Sequence, residues 1–302
     1  KLYYLIERDF IMTYYLENDK LKLKFRELGG ELQSIFSKKY NTEFLWNGDE
    51  SYWKYHAPIL FPIVGKVLNG EYRVNGYFYN LPQHGLARVS NFNVLEKTSN
   101  TISFELKSSS ETLKIYPYKF SLIIKYTLND SSVTTEYIVK NTNKENMYFS
   151  IGAHPAFMCP FSKDESLNDY YFEFNENETA SIMPLNKDGY AKREKKTFLN
   201  DENKINLSKE LFKDDALIFS NLNSNKITLK SKNNNKALEF NFADFPYLAL
   251  WSKPTGAPFV CIEPWFGHAD FEDFKDDFSK KEGILSLEPE KTFNCSYCVT
   301  IK

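Results

Sequence analysis

The sequence predicts an all-β protein, folded as a single large antiparallel β-sandwich. Apolar and polar residues alternate with a period of two along most of the chain, while helical spacing is scarce. With 42% hydrophobic and 17% aromatic content, 302 residues can fill the core of a large sandwich. No turn-rich segment is typical of a linker, so one domain is expected over residues 1–302, with residues 1–11 set apart as an N-terminal extension.

The predicted strands follow this alternation in chain order. Residues 20–25 point lysines outward and apolar side chains inward, and residues 101–106 repeat the pattern. Residues 120–128 and 133–139 are joined by an Asn-Asp-Ser-Ser segment, whose composition favours a hairpin turn. The other predicted strands span 31–37, 71–74, 77–81, 170–174, 226–230, 237–242, 247–251, 259–263 and 292–301.

Helical spacing occurs in two short segments. Phe271, Phe274 and Phe278 recur at intervals of three and four, which predicts a helix over 270–281, and residues 208–213 predict one capped turn. Neither segment is long enough to build an α/β architecture. Polar, turn-rich insertions are expected at 175–178, 187–196 and 233–236.

Charge and hydropathy argue against two classes of partner. The 38 Lys and Arg residues are interspersed with 40 Asp and Glu, for a formal net charge of -2, so no basic patch predicts nucleic-acid binding. No apolar run approaches the length of a membrane-spanning helix, so no membrane partner is expected. Four cysteines fit a reducing compartment, which predicts a cytoplasmic protein of unspecified oligomeric state.

The sequence contains one Cys-x-x-Cys motif, at Cys295 and Cys298. It lies within the alternating segment 292–301, and odd spacing along a strand points the two sulfurs to opposite faces. Ordinary core packing is therefore favoured over a metal or redox pair, and neither a metal nor a cofactor is expected.

A glutamate ends an apolar run near the C-terminus. Glu263 follows residues 258–262 and projects on the same face as Phe259 and Cys261, into what should be a packed layer. Buried glutamates are rare unless they are paired or functional. Burial would raise the pKa of Glu263 into the range of a general base, so Glu263 is a candidate catalytic residue.

Two of the four histidines lie in Gly- and Pro-rimmed segments. His84 sits between Pro82 and Gly85, where the backbone can approach a ligand closely. His154 precedes Pro155, which favours an extended backbone, and follows small residues that leave space for a pocket. One glutamate and one or two histidines suffice for general acid–base catalysis without a metal or a nucleophile.

Other candidates have weaker sequence contexts. Lys66 follows a glycine turn and Asp215 precedes an apolar run, so either could be an ordinary surface residue. Trp265 lies beside Glu263, where an aromatic ring could support the apolar face of a sugar. His268 could rim the same site, whereas His56 is interpreted as structural. The remaining tryptophans, Trp46, Trp53 and Trp251, are assigned mainly to the core.

Four motifs together resemble the aldose 1-epimerase, or galactose mutarotase, family. They are FPIVGK at 61–66, LPQHGLAR at 81–88, GAHPAF at 152–157 and CIEPW at 261–265. Each motif alone is weak, but four in order with comparable spacing is a strong match. The match is closest to the short bacterial branch that includes lactose-operon mutarotase-like proteins, and it covers the chain from about Met12 onward.

The resemblance implies a galactose mutarotase-like supersandwich with an open cleft for a free aldose. In that family a glutamate takes the proton of the anomeric hydroxyl while a histidine protonates the ring oxygen, which opens the sugar. By position, Glu263 matches the base and His154 the acid, while His84 matches a histidine that binds the sugar. Asp215 matches a hydroxyl-binding aspartate, and Lys66 falls where the family usually carries arginine, which leaves the substrate open.

Three alternatives remain at this point. A non-catalytic sugar-binding protein would keep the cleft without turnover, although the retention of both histidines and Glu263 argues against it. A glycoside hydrolase or lyase would need a second carboxylate, for which Asp215 is the only candidate. A hexose-6-phosphate 1-epimerase could use Lys66 and Arg88 to hold the phosphate, but two basic residues are no phosphate signature, and a neutral hexose is the expected substrate.

Overall fold

The computed structural model describes residues 12–302. Strands make up 49% of it and helices 8%, so the predicted all-β class is confirmed. The interpretation of residues 1–11 as an extension lies outside the described residues. No helix in the described part of the chain is long and apolar enough to cross a membrane.

The strands are numbered in chain order. They are β1 Thr13–Glu17, β2 Leu21–Arg26, β3 Leu32–Ser37, β4 Thr42–Glu43, β5 Ile59–Leu60, β6 Glu71–Val74, β7 Tyr77–Asn80, β8 Asn93–Lys97, β9 Thr101–Lys107, β10 Phe120–Asn129, β11 Ser132–Asn141, β12 Met147–Phe149, β13 Ile151–Ala153, β14 Ala156–Met158, β15 Tyr170–Met183, β16 Lys196–Asn206, β17 Leu217–Ser220, β18 Lys226–Ser231, β19 Ala237–Asn241, β20 Tyr247–Trp251, β21 Phe259–Phe266, β22 Leu285–Leu287 and β23 Thr292–Ile301. Helix α1 spans Ser110–Ile115, and 3₁₀ turns lie at Leu68–Gly70, Ala87–Val89, Leu167–Asp169, Lys209–Phe212 and Phe278–Lys280.

One extended antiparallel sheet dominates the described residues. Its order is β5-β13-β21-β20-β17-β15-β18-β19-β23-β11-β10-β9-β8, with β14 paired to β21 and β16 to β15. A second sheet, β1-β2-β3-β4, packs against it, as shown by Phe25, whose ring lies 4.8 Å from that of Tyr126 and 6.3 Å from that of Phe104. These stacked layers confirm the predicted β-sandwich.

The predicted hairpin and the predicted Cys-x-x-Cys geometry both occur. Strands β10 and β11 pair from Phe120 opposite Asn141 to Asn129 opposite Ser132, which leaves a two-residue turn. Strand β23 pairs with both β11 and β19, and its Cys295 is buried while Cys298 is only half-buried. The two sulfurs therefore belong to opposite faces of the strand, as the odd spacing requires.

An aromatic cluster in the core anchors the turn that carries His84. The ring of Phe61 lies 5.1 Å from that of Phe120 and 5.7 Å from that of Phe149. The backbone of Phe61 accepts the N–H of Leu86 at 2.9 Å and donates to the carbonyl of His84 at 3.3 Å. These two hydrogen bonds fix the turn to the core by its backbone.

The predicted helix over 270–281 is wrong, since only its end forms a 3₁₀ turn. The segment is tied to other parts of the chain: Asp270 donates its backbone N–H to Lys66, and its side chain accepts the N–H of Leu68, both at 2.8 Å. Asp270 also forms a buried ion pair with Lys281. These tertiary contacts fix both ends of the segment to other parts of the structure, so they override the local spacing of the phenylalanines.

Two further predictions on secondary structure need correction. The strand predicted at 170–174 continues to Met183 as β15, so the polar segment 175–178 is part of a bulged strand and not a surface turn. The side chain of Glu178 is buried there and accepts the N–H groups of Asn223 and Ser224. Strand β16 was not predicted, because its polar sequence lacks clear alternation.

The short helical elements were only partly predicted. Residues 208–213 contain a 3₁₀ turn, Lys209–Phe212, as expected, but Ser208 makes no side-chain capping bond. Helix α1 was missed, although Ser109 and Thr112 form a capping box at its start. Six residues are too few for helical periodicity to show, so the capping residues were the only sequence signal for α1.

The buried Asp270–Lys281 pair yields a prediction on stability. Lys281→Met should lower the free energy of unfolding by about 3–5 kcal/mol, because it leaves a buried carboxylate without its cation. The double variant Asp270→Asn/Lys281→Met should lose clearly less than the sum of the two single variants, since the amide oxygen can still accept the Leu68 N–H. Urea denaturation measures all three, and additive losses would contradict the coupling.

Candidate active site

An open cleft of about 460 Å³ lies over the part of the large sheet formed by β13, β21, β20 and β17. Four segments bring candidate side chains to it: the turn before β6 carries Lys66, the loop after β7 carries His84, β13 leads into His154, and β21 carries Glu263. Asp215, Arg88 and Trp265 also line the cleft. These seven residues, all named from the sequence as site candidates, therefore meet in one place.

Cross-strand register brings His154 and Glu263 together. Gly152 in β13 is opposite Trp265 in β21, and Ala156 in β14 is opposite Cys261 in the same strand, so the two ladders share one register. His154 lies midway between Gly152 and Ala156, and Glu263 lies midway between Cys261 and Trp265. His154 therefore falls directly opposite Glu263. The Nε2 atom of His154 lies 3.3 Å from the Oε2 atom of Glu263.

Glu263 is only 1% exposed, because β21 is flanked by β20 on one side and by β13 and β14 on the other. Its neighbour across β20 is Ala249, whose small side chain leaves room for the carboxyl group. Burial raises the pKa of Glu263 well above its usual value, and the negative charge of Asp215 raises it further. The expected buried carboxyl group is therefore present.

His154 is also buried, with its ring held by aromatic neighbours. The Trp53 ring lies 4.8 Å from it at 30°, and the Trp251 ring lies 5.6 Å from it, nearly perpendicular. Burial lowers the pKa of His154 to about 3, and the positive charge of Arg88 contributes in the same direction. Both members of the pair thus favour their uncharged forms, in which the carboxyl group keeps its proton and the imidazole is neutral.

His84 is fixed in one tautomer. Its backbone has φ of 66°, its N–H donates to Gly65 at 2.7 Å, and its Nδ1 accepts the Gly65 N–H at 3.1 Å. Burial lowers the pKa of His84 well below its usual value, helped by the nearby His154. The ring is therefore neutral, its proton is on Nε2, and that N–H is a donor for a ligand oxygen.

Gly85 is required at this turn for two reasons. Its φ of 74° is a conformation that side chains rarely adopt, and an added Cβ would lie 2.3 Å from the carbonyl oxygen of Phe61. Gly152 has a different role, since its missing side chain makes space for Trp265, whose Cδ1 would lie 2.5 Å from an added Cβ. Both motif glycines therefore permit close packing around the histidines.

The two cations in the matched motifs already have partners on the main chain. Lys66 donates from Nζ to the carbonyl of Asp188 at 2.8 Å. Arg88 donates to the carbonyl of Gln83 at 2.8 Å, and its guanidinium lies 4.8 Å from the centre of the Tyr55 ring. Each cation thus fixes a segment of the cleft wall while keeping donors for other groups.

The backbone just before β17 positions the side chain of Asp215. Its backbone has φ of 80°, and its Oδ1 accepts the N–H of Ala216 at 2.8 Å as the chain enters β17. The remaining carboxylate oxygen can accept hydrogen bonds from a ligand.

The two other histidines lie outside the cleft lining. His268, expected at the rim, is instead buried against Tyr247 and Phe271, with its Nδ1 2.7 Å from the carbonyl of Ala269, so that expectation is wrong. Its neighbour Ala269 takes the place at the cleft wall. His56 is structural as interpreted: its backbone N–H donates to the buried carboxylate of Glu31 at 2.9 Å.

Sequence reasoning missed several residues of the cleft. Trp53 and Trp251 were assigned to the core, yet both line the cleft beside His154. Trp251 pairs with Cys261 across β20 and β21, so combining the two predicted strands could have placed it. The loop with Lys187 and Asp188 was predicted only as a polar insertion, and nothing in its sequence indicates a site.

Chemically, the cleft offers a carboxyl–imidazole pair, a neutral N–H donor and a carboxylate acceptor between aromatic walls. Among the described residues, His154, Cys261 and Glu263 could also hold a metal, since each has one donor atom within 4.8 Å of the others. Such a fold and site define a β-sandwich protein whose cleft suits acid–base chemistry on a polyhydroxylated ligand.

The chain belongs to the aldose 1-epimerase family, whose sequence profile it matches over residues 12–284. It is 38% identical over 298 residues to the chromosomal protein LacX of Lactococcus lactis subsp. lactis, covering 96% of this chain and 99% of that protein. Among solved structures, it is similar to a galactose mutarotase related enzyme from Lactobacillus acidophilus, with TM-score 0.92 and 37% identity over 96% and 97% of the two chains. A galactose mutarotase-like protein from Lactobacillus casei ATCC 334 gives TM-score 0.90 and 31% identity over 96% and 100%.

Proposed function

We propose that the protein is an aldose 1-epimerase that interconverts the α and β anomers of a free hexose in the cytoplasm. The observation that carries this proposal is the buried His154–Glu263 pair, 3.3 Å apart at the base of an open cleft. Family membership and the mutarotase-like relatives support the same reaction class. The four cysteines are free thiols, which suits a reducing compartment.

The reaction requires one proton to move from one sugar oxygen to another. Glu263 takes the proton of the anomeric hydroxyl, and His154 gives one to the ring oxygen as the bond between C1 and that oxygen breaks. The resulting aldehyde turns about its C1–C2 bond and recloses from either face. The pair returns to its starting state, so no cofactor or net proton is consumed.

Burial prepares the pair for this transfer. Because carboxyl and imidazole both disfavour charge in this site, the two arrangements of their single proton are closer in energy than they would be in water. Hydrogen bonds from the sugar then stabilise the ion pair that starts the reaction. We assign those contacts to His84, through its Nε2 proton, and to Asp215, with Trp265 and the other aromatic rings against the apolar face of the sugar.

The charges around the cleft favour a neutral sugar. Lys66 and Arg88 are already bonded to main-chain carbonyls, and Lys187 is the further cation in the cleft lining. The carboxylates of Asp188 and Asp215 line the same cleft and would repel a phosphate dianion. We therefore propose a free hexose as substrate.

Proton NMR of freshly dissolved α-glucose and α-galactose tests both the activity and the preference. The protein should accelerate anomerisation of at least one sugar, and an excess of glucose 6-phosphate should inhibit it only weakly. Strong inhibition together with faster epimerisation of the phosphate itself would assign the protein to hexose 6-phosphates. No acceleration of any sugar would contradict the proposed activity.

Replacement of the base should separate activity from stability. Glu263→Gln should lower kcat by on the order of a hundredfold or more, because a positioned acid–base group contributes about 10²–10⁴. Its urea midpoint at pH 7 should not fall, since a carboxyl group with a raised pKa is penalised in the fold at that pH. Glu178→Gln is the matched control: it removes a buried carboxylate remote from the cleft and should reduce stability while kcat is retained.

The shifted pKa values predict a broad pH plateau. The pair holds a single proton from about pH 3, where His154 titrates, up to an alkaline limit set by the raised pKa of Glu263. After correction for spontaneous anomerisation, kcat/KM should change by less than about twofold between about pH 5 and 7. In Asp215→Asn the alkaline limit should move to lower pH. A severalfold change centred near 6.5, the ordinary pKa of histidine, would contradict the assignment.

A further inference from the structure

A buried thiol lies beside the catalytic pair and has no part in the proposed mechanism. Cys261 precedes Glu263 by two residues on β21, so both side chains project from the same face of the strand. Cys261 is fully buried and free, and its partner across the strand pair is Ala156, whose methyl group leaves space in front of the sulfur. His154 projects from the same face as Ala156, so nitrogen, sulfur and oxygen converge.

The nitrogen and oxygen atoms of this trio already have tetrahedral spacing, and the sulfur lies within reach of the same ion. The donor atoms of His154, Cys261 and Glu263 all lie within 4.8 Å of one another. The 3.3 Å between His154 Nε2 and Glu263 Oε2 is already about the edge of a tetrahedron with metal–ligand bonds of about 2.0–2.1 Å. Glu263 Oε2 is buried and makes no hydrogen bond within residues 12–302, so it is free to coordinate.

The donor set also selects the kind of ion. One imidazole, one thiolate and one carboxylate form a mixed nitrogen, sulfur and oxygen set that suits Zn²⁺ or Co²⁺, whereas Mg²⁺ and Ca²⁺ prefer oxygen ligands. His154 and Glu263 both line the cleft, which can supply a water or a sugar hydroxyl as the fourth ligand.

We propose that His154, Cys261 and Glu263 form an inhibitory site for Zn²⁺ and chemically similar divalent ions. Binding replaces the thiol proton of Cys261 and the carboxyl proton of Glu263, and both protons go to solvent with no change of oxidation state. The inhibitory consequence rests on the proposed function, because the ion occupies the acid and the base together. Binding of the ion itself does not depend on that function.

Co²⁺ alone is the direct probe of the site. The wild-type protein with one equivalent of Co²⁺ should show a near-ultraviolet charge-transfer band, which arises only when a thiolate coordinates the metal. Cys261→Ala should lose the band. Cys298→Ala should keep it. This control is needed because Cys298 is the half-buried thiol, and adventitious Co²⁺ binding there would also give a thiolate band. Absence of the band in the wild-type protein would overturn the proposal without any variant.

Titration calorimetry with Zn²⁺ gives the affinity. Mutation of a residue that only orients a metal ligand typically lowers metal affinity by about 10–100-fold. Cys261→Ala removes a direct ligand, so it should weaken Zn²⁺ binding at least about tenfold. Unchanged affinity in that variant would overturn the site, whereas Cys298→Ala should bind as the wild type does.

Inhibition is measured by polarimetry of α-glucose or α-galactose. Zn²⁺ should inhibit the wild-type protein, EDTA should restore full activity, and Mg²⁺ should have no effect. Cys261→Ala should retain activity and resist Zn²⁺ at least about tenfold better. A charge-transfer band in a protein without mutarotase activity would support the metal site and contradict only the proposed function. Equal inhibition of Cys261→Ala and wild type would contradict the site.

Discussion

The contact between His154 and Glu263 is the constraint on which the rest of the site depends. A carboxyl group and an imidazole are held 3.3 Å apart with almost no access to water, so each opposes its own charged form. Burial therefore favours a protonated carboxyl group beside a neutral imidazole. The cleft, its aromatic walls and the motif glycines all serve to hold this pair where a ligand can reach it.

The register of the paired strands brings His154 and Glu263 together. The β13–β21 and β14–β21 ladders share one register, interrupted by Pro155, which lacks a backbone N–H. The interruption falls beside His154, whose own N–H turns to the carbonyl of Pro58 at 3.0 Å and extends the β5 pairing. The shared register keeps His154 opposite Glu263, and the bond to Pro58 fixes its backbone there.

Much of the fold could be predicted from alternation, and the failures have physical causes. Strand β16 alternates poorly because it pairs with a bulged partner at the edge of the sheet. The segment 270–281 has helical spacing, but Asp270 bonds to Lys281, to Lys66 and to Leu68, three positions that no local pattern reveals. Sequence periodicity describes one element at a time, so it fails where distant groups decide the backbone.

The same distinction applies to the site. His84, His154 and Glu263 could be found because glycines, prolines and an apolar run mark their local settings. His268 was misplaced because its direction depends on Tyr247, a residue on another strand. Trp251 was missed since strand pairing brings it to His154, and Trp53 was missed since it reaches the same ring from a loop. Local chemistry thus identifies the reacting groups, whereas the walls that exclude water from them depend on pairings between distant segments.

Contacts outside the cleft support the backbone of Lys66, which lines it. Its carbonyl accepts the N–H of Asp270, and Asp270 is in turn held by the buried cation of Lys281, so an ion pair outside the cleft supports the backbone of a residue that lines it. The ammonium group then bonds to the carbonyl of Asp188 and ties the opposite loop to this support. An arginine could spread its donors over two oxygens at once, whereas lysine is a single point donor. A lysine engaged with the loop therefore acts first on the shape of the cleft and only secondly on the charge inside it.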